Sequence, residues 1–226
     1  DPQALTALSN EEVLYKDVEG AFYHLKYYIE DSDEYLEVAT TRPETYFGDT
    51  AVMVNPDDNR YKELIGKEVI LPLINRKIKI IADSHVDSEF GTGVVKVTPA
   101  HDVNDYEVGK RHNLEFITIF DEKGILNEYC AEFQGLERLE ARDKIVQKLQ
   151  DEGFVEKIED YENQVGYCYR CKNVVEPYIS KQWFVKSKIA DEAIKSVDEG
   201  KAKFYPSHWI NSFNAWMREL KDWCIS

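Results

Sequence analysis

The sequence predicts an α+β fold: a β-barrel core of short strands with helices around it, followed by a partly helical connector. Two observations lead to this prediction. Short strand-like runs dominate the first two thirds of the chain, and helical signals there are few. Many short strands with few helices favour a closed barrel, because closure removes the unpaired strand edges that promote aggregation.

Strand signals come first along the chain. Residues 21–29 alternate apolar and polar side chains and end at the turn-rich cluster Asp31-Ser32-Asp33. Residues 77–82 are rich in isoleucine, which is β-branched and suits a strand. The other predicted strands are 35–41, 51–55, 68–73, 93–98 and 116–120.

Helical spacing and capping residues predict helices at 58–65, 102–112 and 136–151, the first and last ending at Gly66 and Gly153. After residue 161 the pattern changes to a cysteine knuckle, an extended stretch with Pro177, and helices at 187–200 and 207–222. We therefore predict a barrel domain over residues 1–160 and a connector over residues 161–226.

Composition limits the classes of partner. The formal net charge of −15 argues against a protein that grips long duplex nucleic acid, since such binding neutralises phosphates with basic side chains. It permits contact with a single nucleotide end. No apolar run is long enough for a bilayer, and four cysteines fit a reducing cytoplasm. We expect a monomeric, cytoplasmic chain without a membrane partner, and the start without Met is typical of an excised piece.

A threonine-rich segment could hold a small polar ligand. Thr40, Thr41, Arg42 and Thr45 follow a predicted strand and combine hydroxyls with one permanent cation. The competing interpretation is structural, because Pro43 and the threonines also suit the first turn of a helix.

A second segment gathers charged residues around a strand end. Lys96 and Thr98 lie two apart on one strand face, and Asp102 and Asp105 lie three apart on one helix face. These four side chains could line one cavity. The alternative is that Asp102 caps the helix and Asp105 stabilises its first turn.

Other chemistries fit less well. Two carboxylates on one helix cannot readily flank a sugar bond from opposite sides, which glycoside hydrolysis requires. Zinc usually needs four ligands, and Cys168 and Cys171 form one pair while Cys130 and Cys224 are isolated. We predict no cofactor and no metal.

Several segments together resemble the editing domains of class I aminoacyl-tRNA synthetases of the valyl type, in family order and over essentially the whole chain. The resemblance lies in segments 40–45 with 48–51, 91–106, 174–185 and 222–226. It implies a hydrolytic β-barrel inserted into a catalytic domain. The catalytic signatures His-x-Gly-His and Lys-Met-Ser-Lys-Ser are absent from this sequence, so no amino-acid activation is expected from it.

The resemblance implies a function: hydrolysis of the ester in mischarged Thr-tRNA(Val). A pocket that selects valine cannot strongly exclude threonine, which differs by one hydroxyl, so a second site must recognise that hydroxyl; synthetases of the valyl type are themselves the established example of this limit. The implied partners are the 3′ aminoacyl-adenosine end of tRNA(Val) and the catalytic domain of the full-length chain.

The resemblance also assigns residues. It implies that Asp105 anchors the α-ammonium, that Asp102 recognises the threonine hydroxyl, or the reverse, and that Thr45 helps to hold the attacking water. The matching substrate-binding positions are Thr40, Thr41, Arg42, Phe90, Lys96 and Thr98. Asp1 and Ala4 stand where zinc-containing members carry a first cysteine pair, which counts against zinc at the Cys168 pair.

Two rival functions remain open. An isoleucyl-type editing domain would clear valine, but such domains tend to carry Gly and Trp where this chain has Asp102 and Glu44. A non-catalytic module that only docks tRNA would show no deacylase activity.

Overall fold

The computed structural model describes residues 1–225; Ser226, the last residue of the segment predicted to return to a catalytic domain, lies outside the described residues. The described chain forms two compact units. The first contains Asp1–Leu5 and Leu14–Ile179, and the second contains Thr6–Val13 and the chain from Ser180 onward. Among the described residues, none of the helices has the length and apolar character needed to cross a bilayer.

A seven-stranded sheet forms the frame of the first unit. Its strands are β1 (Val13–Ile29), β2 (Tyr35–Thr40), β3 (Ala51–Val54), β4 (Glu68–Ile70), β5 (Lys77–Ala82), β6 (Val94–Val97) and β7 (Val155–Cys168). They run in the order β2-β1-β4-β5-β3-β6, with β7 paired to β1. The β3–β5 pair is parallel, and β1–β2, β1–β4, β4–β5 and β3–β6 are antiparallel.

The sheet curls into a half-barrel, so that its end strands β2 and β6 come into contact. Alternate residues of β1 and β2 point into the barrel and form its core, for example Leu25, Tyr27 and Val38, all fully buried. Burial of these apolar surfaces drives the folding of the unit. The predicted α+β fold with a barrel-like core is confirmed. The sheet is curled, but its end strands β2 and β6 are not joined by a ladder of hydrogen bonds.

The helices are divided between the two units. In the first unit, α1 (Val103–Arg111) follows β6, and α2 (Arg138–Asp151) packs against a buried 3₁₀ turn over Pro43–Gly48. The second unit contains α3 (Asp191–Asp198), α4 (Trp209–Arg218) and the short antiparallel pair β8 (Phe184–Val185) and β9 (Trp223–Cys224). The helices predicted at 102–112, 136–151, 187–200 and 207–222 are confirmed, with shorter bounds.

Three predictions about elements need correction. Residues 116–120 contribute only an isolated bridge between Phe120 and Leu126, because their backbone bonds go to neighbouring turns and to a histidine ring. Residues 58–65 form a 3₁₀ turn at Lys62–Leu64 instead of a helix. Strand β7 was missed because most of its side chains are exposed and polar residues interrupt the apolar ones, so no apolar alternation marks it.

The predicted boundary near residue 161 falls inside β7, and residues 161–179 lie with the first compact unit. The functional division into a barrel domain and a connector stays a prediction.

Candidate functional site

One pocket is lined by residues of both end strands, β2 and β6, together with the segments that follow them. Its volume is about 410 Å³, within the roughly 300–1,000 Å³ of small-ligand sites. Every residue that the sequence analysis selected as catalytic or substrate-binding lines this one pocket: Thr40, Thr41, Arg42, Thr45, Phe90, Lys96, Thr98, Asp102 and Asp105. The structure thus brings together residues from two distant segments, while their roles stay predictions.

Asp102 caps α1 and also borders the pocket. Its Oδ1 accepts hydrogen bonds from the backbone amides of Asn104 at 2.8 Å and Asp105 at 3.1 Å. Capping by a side-chain oxygen satisfies amides that have no partner within the helix. Only Oδ1 takes part, and no hydrogen bond joins Oδ2 to the described residues, so the capping interpretation and the shared-cavity interpretation are both compatible with this geometry.

Asp105 is the more deeply buried carboxylate of the pair, with 8% of its surface exposed. Its Oδ2 accepts a hydrogen bond of 2.8 Å from the backbone amide of Thr98, which joins the start of α1 to the end of β6. Burial, with a smaller contribution from the nearby charge of Asp102, raises the pKa of Asp105 to about 6, against the opposing effects of Lys96 and the Thr98 amide. Such a carboxylate gains stability when a cation enters the pocket.

Lys96 lies on β6 and is held from inside the barrel. Its ammonium donates to Asp49 Oδ1 at 2.9 Å, to Thr45 Oγ1 at 3.1 Å and to the hydroxyl of Thr98. A lysine ammonium has three N–H donors, so these contacts use all of them. Lys96 therefore acts in this structure as an internal cation that fixes two threonine hydroxyls at the pocket wall.

Asp49 is the counter-charge that makes this arrangement stable. It is fully buried, its Oδ1 also accepts from the Thr98 hydroxyl at 2.6 Å, and its Oδ2 accepts from Tyr27 at 2.7 Å. Burial raises its pKa, and Lys96 together with the hydroxyl donors acts in the opposite direction. Next to it, Gly48 has no side chain because a Cβ there would come within 3.1 Å of both the Ile117 carbonyl and Thr98.

Thr45 is buried beside this network, at 3% exposure. Its hydroxyl donates to the Arg42 carbonyl at 2.9 Å and accepts from Lys96 at 3.1 Å. Because a hydroxyl has one donor and two acceptor positions, one acceptor position remains. Thr45 can therefore orient a water molecule by accepting a hydrogen bond from it. Thr45 cannot act as the base that removes a proton from this water, because its hydroxyl keeps its own proton and donates it in the hydrogen bond to the Arg42 carbonyl.

Arg42 leaves the end of β2 with its guanidinium held on several sides. Its Nη1 donates to the His101 carbonyl at 2.9 Å, its Nη2 pairs with Glu176, and its Nε lies 3.6 Å from Glu44. Five N–H donors in a rigid fork leave some of them for a ligand oxygen. Unlike Lys96, Arg42 can contact a ligand without releasing its internal partners.

Glu44 does not line the pocket. Its side chain is fully buried and accepts two bonds of 2.8 Å from Arg142 on α2, a bidentate pair. The difference from isoleucyl-type domains that the resemblance implies at Glu44 therefore lies outside the pocket lining.

Sequence reasoning missed several lining residues: Phe22, Ala39, Met53, His85, Val86, Asp87, Val95 and Asn104. Val95 and Asn104 lie within segment 91–106 but were not selected, and the other six lie outside every segment that carries the resemblance, so only the fold shows that they line the pocket. His101 also lines the pocket, although the sequence marked it only as a weak candidate for a ligand-binding residue. Burial, followed by the charge of Arg42, lowers its pKa to about 3, against the Pro177 carbonyl. His101 is therefore neutral at pH 7, and its Nε2 accepts from the Ile119 amide at 2.9 Å.

The cysteine pair has an acidic neighbour. Side-chain ligand atoms of Asp1, Cys168 and Cys171 lie within 4.8 Å of one another. Three such ligands are one fewer than a closed zinc site normally uses. None of the three residues lines the pocket. That catalysis needs no metal stays a prediction.

The fold and the pocket together define a class of protein: a half-barrel domain whose pocket is lined by an acidic pair and several threonine hydroxyls. The family of class I tRNA synthetases (I, L, M and V) matches residues 1–226. The chain belongs to this family.

The relatives are valine–tRNA ligases. This chain is 72% identical over 220 residues to the valine–tRNA ligase of Campylobacter jejuni strain RM1221, covering 97% of this chain and 25% of that protein. It is 74% identical to the Nitratiruptor ligase over the same shares, and 53% identical to the Thermotoga maritima ligase over 100% of this chain and 26% of that one. The chain thus spans about a quarter of the length of the curated relatives it matches.

One solved structure is similar at a lower level. It is the ternary complex of Agrobacterium radiobacter K84 agnB2 LeuRS with tRNA and LeuAMS, with a TM-score of 0.49 and 18% sequence identity. The match covers 71% of this chain and 24% of that one.

Proposed function

We propose that this chain hydrolyses the ester bond of threonine wrongly attached to tRNA(Val). The observation that carries the proposal is the pocket, which is lined both by an acidic pair and by threonine hydroxyls fixed by buried charges. The 53–74% identity to bacterial valine–tRNA ligases supports tRNA(Val) as the macromolecular partner. The other partner would be the catalytic domain of a full-length ligase.

Recognition of the amino acid falls to the two aspartates. Asp105 pairs with the α-ammonium, because it is buried and its free oxygen can accept from a cation. Asp102 accepts the threonine hydroxyl through Oδ2, since Oδ1 caps the helix. Valine lacks that hydroxyl and would leave the carboxylate without a partner after desolvation, which costs about 1–3 kcal/mol.

The reaction itself needs no covalent enzyme intermediate. A water molecule oriented by Thr45 attacks the ester carbonyl, the bond from the carbonyl carbon to the ribose oxygen breaks, and the proton passes to that ribose oxygen. Arg42 supplies N–H donors to the terminal adenosine or to the developing oxyanion. Lys96 contributes by fixing Thr45 and Thr98, the role that its three internal bonds support.

The pH dependence of hydrolysis should follow Asp105. Its carboxylate must be ionised to pair with the ammonium, and its pKa is raised to about 6. We therefore expect kcat/KM to fall as the pH drops through about 6, approaching tenfold per pH unit below it. The charged groups that act on Asp105 are Lys96, Asp102 and Asp49. A profile of kcat/KM from pH 4.5 to 8 checks this, and a flat profile would contradict a role for the ionised carboxylate.

The direct test of the function compares three charged tRNAs. Thr-tRNA(Val), Val-tRNA(Val) and Val-tRNA(Ile) are incubated with the chain, and release of the amino acid is followed. We expect threonine to be released at least about tenfold faster than valine from tRNA(Val), because one hydrogen bond to a charged group contributes about 1.5–3 kcal/mol. Preferential release of valine from tRNA(Ile) would support an isoleucyl-type domain. No hydrolysis of any of the three would support a docking module.

A further inference from the structure

Glu176 joins the pocket to a segment that the mechanism does not use. It lies in residues 174–179, the last part of the first compact unit, and its side chain is 6% exposed. One carboxylate oxygen accepts from Arg42 Nη2, and the other accepts from Arg138 Nε at 2.6 Å. A single buried carboxylate thus bridges a pocket arginine and an arginine of α2.

This bridge is part of a chain of alternating charges. In order, the chain is Arg142, Glu44, Arg42, Glu176 and Arg138. Buried charges destabilise a fold unless each one is paired, and alternation gives each inner member two opposite neighbours. Of the five, only Arg42 lines the pocket. The other four therefore act on a ligand through Arg42.

Residues 174–179 are also seated against the back of the pocket. The ring of Tyr178 stacks over Phe120 with centroids 6.4 Å apart, and Phe120 lies 4.2 Å from the ring of His101. Arg138 additionally donates to the Val174 carbonyl at 3.4 Å. The seating of this segment and the direction of the Arg42 guanidinium are thus set by the same carboxylate.

We propose that Glu176 is a positioning residue, which fixes Arg42 and makes its direction depend on how residues 174–179 are seated. The proposal rests on the function proposed above. The pocket also contains Asp102 and Asp105. A guanidinium that loses Glu176 is attracted to these carboxylates and competes with the ammonium of the substrate. Glu176 keeps the acidic pair free for the ligand.

The test replaces Glu176 by glutamine, which keeps the shape and removes the charge. The measured quantities are KM and kcat for Thr-tRNA(Val), and the Kd of a non-hydrolysable amide analogue of 3′-threonyl-adenosine by calorimetry. We expect KM and Kd to rise about tenfold, equivalent to about 1.4 kcal/mol, while kcat changes much less. Glu176→Asp keeps the charge but is too short to bridge both arginines, and it should shift KM and Kd in the same direction.

Two comparisons separate positioning from general loosening. Glu137 pairs with Arg138 from the other side, and no hydrogen bond or ion pair joins it to Arg42 in the described chain, so Glu137→Gln should leave KM and Kd unchanged. In an Arg42→Met background, Glu176→Gln should add no further loss, because its effect passes through Arg42. Thermal midpoints of all variants show whether each is folded at the assay temperature.

An unchanged KM and Kd in Glu176→Gln, an equal loss in Glu137→Gln, or a full additional loss in the Arg42→Met background would each overturn the proposal. A parent chain that neither binds the analogue nor hydrolyses the ester contradicts the proposed function itself. If the parent chain binds the analogue and hydrolyses the ester, and Glu176→Gln has the same KM and Kd as the parent, only the role of Glu176 is contradicted.

Discussion

Replacing Asp105 by asparagine is expected to reduce hydrolysis of Thr-tRNA(Val) by about two to four orders of magnitude. The carboxylate is the buried counter-charge for the α-ammonium, and removing one partner of a buried ion pair costs about 3–5 kcal/mol. Asparagine keeps the size of the side chain and an oxygen that can accept from the Thr98 amide. The loss should therefore appear in kcat/KM without a loss of fold.

The same substitution should make the protein more stable at pH 7. The pKa of Asp105 is raised from 3.8 to about 6, so the ionised form is disfavoured in the folded state. Folding therefore takes up a proton between these two pKa values, and the penalty on stability grows as the pH rises to about 6 and then stays constant. Removing the charge should add about 1–3 kcal/mol at pH 7, and this gain should vanish near pH 4.

A purely structural role for Asp105 predicts the opposite sign. A carboxylate in the first helical turn gains about 0.3–1 kcal/mol from the helix dipole, so its neutralisation would destabilise the protein and leave hydrolysis intact. The burial penalty is the larger of the two effects. Chemical denaturation at pH 7 and pH 4, together with the deacylation rate, distinguishes the two roles, and a less stable but active variant would exclude an anchoring role for Asp105.

The sequence predicted most of the frame because local patterns determine it. Period-two alternation marked residues 21–29, and an aspartate followed by helical spacing marked α1. Strand β7 was not predicted because most of its side chains are exposed and it has no apolar face. Residues 116–120 were wrongly predicted as a strand because buried apolar residues without ladder partners have the same composition as a strand.

The candidate site was predictable for a different reason. The lining residues that were predicted occur in two short segments, and each segment includes the end of a strand. What the sequence could not show is which charges neutralise each other. Lys96 and Arg42 were both predicted to bind substrate, yet Lys96 pairs with Asp49, 47 residues away, and Arg42 pairs with Glu176, 134 residues away. Such pairings depend on the three-dimensional fold, and no local pattern reports them.

Asp102 offers the second large effect, and the structure makes its test sharper. Its Oδ1 caps α1, so Asp102→Ala should lose about 1 kcal/mol of stability whatever its role in the pocket. Asparagine is an equally good capping residue, so Asp102→Asn should keep the thermal midpoint. Both variants lack the carboxylate that accepts the threonine hydroxyl. The pair therefore separates the cap from the recognition of substrate.

We expect both variants to hydrolyse Thr-tRNA(Val) about one to two orders of magnitude more slowly, since a hydrogen bond to a charged group contributes about 1.5–3 kcal/mol. Valine has no hydroxyl to lose, so its slow release from Val-tRNA(Val) should fall less, or rise. The ratio of the two rates is the informative quantity, because a general loss of fold lowers both alike. If Asp102→Asn keeps both its thermal midpoint and the parent ratio, Asp102 is a helix cap and the hydroxyl is recognised by another group.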